Sequence, residues 1–209
     1  MAPGVLHRVI HGTHTPEPWQ KDLITVRPAM LQDYRRHRVR YADYPAIIPH
    51  SGSRVRGSVV TGLTQGDIYR LDIFEGSQYK RDVVKVQLLK DVELDQAAPE
   101  QERQHPEILE EVDAQTYVWL EGEETLEPQE WDFEAFKRDK MRAWMGIEED
   151  DDVEVDEGFA DVDRAVAEED SRRTQEKGQG NGMNTTGHDP MGGRGVNGHI
   201  TQQLKEAAV

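Results

Sequence analysis

Apolar residues fall at helical spacing in a few short stretches of this chain and alternate with polar ones in several others. The pattern predicts short helices interspersed with valine-rich strands. Residues 5–10 read as a helix, closed off by the run Pro16-Glu17-Pro18, and residues 23–30 read as a strand. Residues 36–41 alternate basic with apolar positions, as a strand with one solvated face does, and residues 55–60 and 80–89 are further strands. Along the last of these, Tyr79, Arg81, Val83 and Lys85 share one face, while Val84, Val86 and Leu88 share the other. Residues 95–112 form an acidic, proline-bearing insertion ahead of a strand over 115–120. Pro128 and Asp132 then announce a helix. Its apolar stripe is Phe133, Phe136 and Trp144, with Glu134 and Arg138 as an exposed pair.

The pattern fades towards the C-terminus. Only 35% of the 209 residues are hydrophobic and 32% are charged, so not all of the chain is expected to pack. Residues 147–209 carry 16 acidic and 6 basic side chains, a net of −10 out of a total of −16. Within them an acidic run at 148–157 precedes a stretch at 160–177 that reads as a transient charged helix, and 178–198 is rich in glycine and asparagine. We therefore expect one domain over 1–146 and an acidic, Gly/Asn-rich disordered tail over 147–209, dispensable for folding. Gly178, Gly180 and Gly182 are not a dinucleotide loop, because no strand precedes them and no apolar helix follows.

Cysteine is absent, which excludes disulfides, zinc–thiolate sites and a cysteine nucleophile. No apolar run approaches the length of a membrane span, and the first residues lack a secretory pattern, so a cytoplasmic protein without a membrane partner is expected.

Candidate chemistry concentrates in residues 64–81. Thr64 and Asp67 fit a capping box, Ile68 and Leu71 fall on one helical face, and Gly76 is a natural left-handed stop. Glu75 lies seven residues after Ile68 and four after Leu71, on that same face. Burial and the negative end of the helix both disfavour a carboxylate there, which raises its expected pKa and suits it to general-base work. Elsewhere, His7 and His11 have the four-residue spacing of a metal pair, but Gly12 ends the helix and no carboxylate sits at a matching position, so no metal is expected. Arg35, Arg36, His37, Arg38 and Arg40 cluster beside Tyr34, Tyr41 and Tyr44. Against the acidity of the whole chain, a small anionic ligand suits this cluster better than nucleic acid.

Leu71-Asp72-Ile73-Phe74-Glu75, followed by Tyr79 and Arg81, resembles the catalytic segment of the gamma-glutamylcyclotransferase-like superfamily, in its avirulence-induced-gene-like branch. Other blocks agree in order. Val5-Leu6-His7-Arg8-Val9 resembles that branch's first helix, Tyr44-Pro45-Ala46-Ile47-Ile48-Pro49 its substrate-side loop, Val55-Arg56-Gly57-Ser58-Val59 its glycine-bearing strand, and Tyr117-Val118-Trp119 a late strand.

The resemblance implies an α+β fold, a small mixed or antiparallel β-barrel with flanking helices. It also implies an activity in which the substrate's own α-amine attacks its γ-carbonyl and releases 5-oxoproline from a small γ-glutamyl metabolite. Glu75 would be the acid/base, and Tyr44, Tyr79 and Arg81 would be substrate-binding residues, with no metal or cofactor. The family's opening strand and Tyr-Gly-x-Leu turn have no counterpart ahead of Met1-Ala2-Pro3-Gly4-Val5-Leu6, so the expectation is an N-terminally incomplete domain. A non-catalytic binding member of the fold is the alternative.

Overall fold

A computed structural model describes residues 2–90, 107–145, 147 and 157–177. They fall into two compact units, one of helices and one built on a sheet.

The helical unit takes residues 1–24, 62–76 and the stretch from 156 onwards. Helix α1 (Pro3–His11) starts on a proline, which suits a first turn whose amide has no helical partner. It buries Val5, Leu6, Val9 and Ile10, the i, i+1, i+4, i+5 pattern of one helical face. Helix α2 (Pro18–Lys21) is a single turn, its entry fixed by the Glu17 amide donating to the Gln20 side chain at 2.9 Å. Helix α3 (Gln65–Glu75) has the expected capping box: the Asp67 amide donates to Thr64 Oγ1 at 3.2 Å and the Thr64 amide to Asp67 Oδ2 at 2.8 Å. Just before it, Gly62 is held at φ +89, and a Cβ there would stand 2.4 Å from the Leu23 carbonyl oxygen. Both the dihedral and the space require glycine.

The sheet unit spans residues 25–61 and 77–155. Its strands β1 (Thr25–Val39), β2 (Pro45–Thr61), β3 (Tyr79–Leu89) and β4 (Ile108–Trp119) run in the order β2-β1-β3-β4, and β5 (Leu126–Glu130) pairs with the far end of β1. All pairings are antiparallel. Strand β1 bends at Asp33, where the register with β2 shifts. Asp33 takes φ 60 and its carboxylate accepts the Gly52 amide at 2.8 Å, so a side chain satisfies backbone that the bulge releases. One apolar cluster joins Val55 of β2, Ala29 and Leu31 of β1, and Val84, Val86 and Leu88 of β3. A second joins Trp119 of β4 to Ala46 and Ile48 of β2 and to Val39 and Leu126. Since β2 and β4 are opposite ends of the strand order, the sheet is strongly curled.

The fold class is the expected one, α+β with an antiparallel sheet and flanking helices, and the two faces of β3 divide as the alternation requires: Val84, Val86 and Leu88 are buried while Arg81, Val83 and Lys85 are exposed. Several details differ. Residues 45–49, expected as a loop, are the first part of β2. Strand β4 begins at Ile108 rather than 115, because its acidic outer positions are matched across the ladder, with Lys85 bonding Asp113 at 3.3 Å and reaching Glu111 at 3.7 Å. The helix after Asp132 is two pieces, α4 (Phe133–Asp139) and α5 (Met141–Trp144), and Glu134 pairs with Lys137 while Arg138 pairs with Asp139.

The largest difference is at the C-terminal side. The stretch 160–177, expected as a transient charged helix, lies within helix α6 (Glu157–Lys177), which has Phe159 and Val162 buried at 3% and 1% exposure. Residues 178–209 lie outside the described part, as do 95–106 of the expected insertion and 148–156 of the acidic run.

Candidate active site

Glu75 is the last residue of α3 and is half-buried. The helix is fixed in its unit from several sides. Asp67 is fully buried, Arg70 is 2% exposed, and the Arg70 Nε donates to the Val9 carbonyl of α1 at 2.6 Å. The inner face of α3 is thus centred on Gly66, Asp67, Arg70 and Leu71, and Glu75 sits at its margin, four residues beyond Leu71. Asp67 is legible in the sequence only as a cap and Arg70 not at all, since a buried arginine inside a polar helix leaves no apolar signal. Phe74 packs its ring on Phe159 of α6, with centroids 5.0 Å apart.

The Gly76 amide closes α3 on the Asp72 carbonyl at 3.2 Å. Gly76 has φ 70 and ψ −171, which is the mirror-extended conformation rather than the left-handed helical one expected. Only glycine adopts it readily, and it turns the chain from helix into strand within Gly76-Ser77-Gln78. A carboxylate is therefore held at a helix terminus whose exit is conformationally defined.

The other expected site residues belong to the sheet unit. Tyr79 opens β3, stacks edge-on against Trp119 at 4.9 Å, and donates its hydroxyl to the Pro45 carbonyl at 3.0 Å. Tyr44, next to Pro45, packs against the same apolar cluster, so the structure brings Tyr44 and Tyr79 together. Arg81 is exposed two residues further along β3, opposite Tyr117 in the ladder.

The basic cluster is engaged within its own unit. Three of its members donate to successive carbonyls of β5: Arg35 to Pro128 at 3.3 Å, His37 to Glu127 at 2.8 Å and Arg40 to Leu126 at 3.0 Å. Arg38 bonds the Ala42 carbonyl at 2.7 Å and Asp43 at 2.9 Å, and Arg36 lies over the rings of Trp131 and Phe133. These groups clamp β5 and the β1–β2 turn, a role that needs no external anion.

His7 and His11 lie ring on ring, with centroids 5.4 Å apart and planes 18° from parallel. Burial, and then the charge of Lys21, lower the His7 pKa below its ordinary 6.5. A depressed folded-state value means that the stability linked to neutral His7 is complete above about pH 6.5 and is lost as pH falls through the lower folded value. Urea midpoints measured between about pH 7 and pH 5 should fall on the acid side, and His7→Gln should flatten that fall. An equal acid-side drop in the variant would remove His7 from the account.

The described residues thus form an α+β fold in which Glu75 ends a capped helix of one unit and, in the other unit, a curled antiparallel sheet carries Tyr44 and Tyr79 against one apolar cluster. Residues 7–133 match the family described as gamma-glutamyl cyclotransferase, AIG2-like, and the chain belongs to that family. Among its relatives in Arabidopsis thaliana, protein AIG2 C is 30% identical over 110 residues, covering 53% of this chain and 56% of that protein. Protein AIG2 B is 31% identical over 111 residues, with the same shares. The chain spans a little over half the length of these curated relatives. A solution structure of another Arabidopsis thaliana protein is similar at 25% identity and a TM-score of 0.41, covering 69% of this chain and 79% of that one. Among the described residues no helix is long and apolar enough to cross a membrane.

Proposed function

We propose that this chain is a γ-glutamyl cyclotransferase that releases 5-oxoproline from a small γ-glutamyl amine or peptide by intramolecular aminolysis. Family membership supports the reaction class, and the observation that carries the reading is Glu75 at the end of a capped, anchored helix within the matched residues. The substrate's α-ammonium gives a proton to Glu75, and the freed amine attacks the γ-carbonyl carbon. The ring C–N bond forms and the bond to the leaving nitrogen breaks as Glu75 returns that proton to the leaving nitrogen; the ring nitrogen then passes its surplus proton, again through Glu75, to the released amine, which leaves as the ammonium. One carboxylate serves both steps, and because nucleophile and electrophile belong to one molecule, most of the remaining acceleration comes from holding the glutamyl chain in an attack-ready shape. Tyr44, Tyr79 and Arg81 are our proposed substrate-side residues, the tyrosines as pocket wall and Arg81 as a cation for a carboxylate.

The test is a panel of γ-glutamyl compounds, including glutathione, γ-glutamyl amino acids and γ-glutamyl-lysine, assayed for 5-oxoproline release. At least one is expected to turn over. Binding without release across the panel would mark a non-catalytic member of the fold instead.

A further inference from the structure

We propose that Phe159, in the first turn of α6, is a positioning residue for Glu75. The inference rests on the cyclotransferase reading and deepens it. Phe74, the immediate neighbour of Glu75, meets the Phe159 ring at 5.0 Å with planes tilted by 45°. Phe159 is itself fixed from a second direction. The Arg8 guanidinium of α1 lies 5.3 Å from the centroid of the same ring, and its two terminal nitrogens bond both oxygens of Asp163, at 3.0 and 2.7 Å. Asp163 is four residues after Phe159, so both contacts come from one side of α6.

The final turn of a helix frays unless something outside it holds it, because its last carbonyls have no helical partner. In α3 the capping box and the Arg70–Val9 bond secure the first two turns, whereas the Phe74–Phe159 contact lies at the turn that carries Glu75. A proton-transfer group works only when held to a fraction of an ångström, and a displacement of about 1 Å costs on the order of a hundredfold in rate. Helix α6 lies beyond residues 7–133, so this support is supplied from outside the part of the chain that matches the family.

The test uses the full chain with Phe159→Ala and Phe159→Leu, reading both turnover and amide hydrogen exchange. Exchange at Glu75 and Gly76, taken relative to Leu71 in the same helix, is expected to quicken in both variants. The kcat for 5-oxoproline release is expected to fall about tenfold for alanine and about threefold for leucine, less than a full 1 Å displacement would cost, with KM within about twofold of the parent. Should the alanine variant fail to fold, the leucine variant, which keeps apolar volume and loses the ring contact, decides the matter. Folded variants with parental kcat and a parental exchange ratio would overturn the proposal, as would a kcat loss that only follows the fraction unfolded. The exchange ratio needs no substrate. A parent inactive on every γ-glutamyl compound would therefore sink the cyclotransferase reading, while an unchanged ratio would separately sink the support of Glu75 by Phe159.

Discussion

Replacing Glu75 by glutamine should abolish 5-oxoproline release while leaving the fold intact. The substitution keeps the size of the side chain while removing its negative charge and its ability to take and return a proton. General acid/base catalysis by one positioned group is worth about 10²–10⁴ in rate, so a loss of at least a hundredfold is expected, with the same melting midpoint. The midpoint should hold because Glu75 is only half-buried at the margin of the inner face of α3, whose packing centres on Asp67, Arg70 and Leu71. A variant that turns substrate over at the parental rate would remove Glu75 from the chemistry.

Ending the chain at Ile147 should destabilise the helical unit severely, contrary to what the composition of residues 147–209 suggests. Truncation removes α6 and with it Phe159 and Val162, both almost fully buried, and the Asp163 carboxylate that Arg8 grips. Emptying a phenylalanine site alone costs about 3–5 kcal/mol. Loss of the valine burial adds to that, against a typical total stability of about 5–15 kcal/mol. The exposed Arg8–Asp163 pair contributes far less than the apolar burial. The urea midpoint of the truncated chain should drop sharply, or the chain should fail to unfold cooperatively. An unchanged midpoint would show that α6 contributes nothing to stability.

The parts of the fold that could be read from the sequence are those where one signal acts alone. Thr64 and Asp67 announce the start of α3 because a cap is a local bond between residues three apart, and β3 divides its faces because its valines alternate without interruption. The position of Glu75 at the end of α3 followed from the same local logic, sharpened by the family resemblance. What escaped involves partners that leave no trace in spacing. Arg70 is buried inside a helix that has no apolar stripe, because its partner is a backbone carbonyl of α1. The basic cluster reads as the solvated face of a strand, and the bonds that three of its members make to the carbonyls of Leu126, Glu127 and Pro128 leave no mark in the sequence, since any residue type would provide those carbonyls. The first turn of α6 is hidden by composition: two apolar residues, Phe159 and Val162, face inward from a helix otherwise dominated by charge. The start of β4 escaped for a related reason, since acidic residues opposite Lys85 look like an insertion until the ladder is drawn.

The central claim is cyclisation by the substrate's own amine, and it is tested most directly by running the reaction in water enriched in ¹⁸O and weighing the products. Attack by the α-amine involves no water, so the account predicts 5-oxoproline of unshifted mass, released in equal amount with the amine or amino acid that leaves. Glutamate carrying ¹⁸O in place of 5-oxoproline would show that water is the nucleophile and would contradict the account.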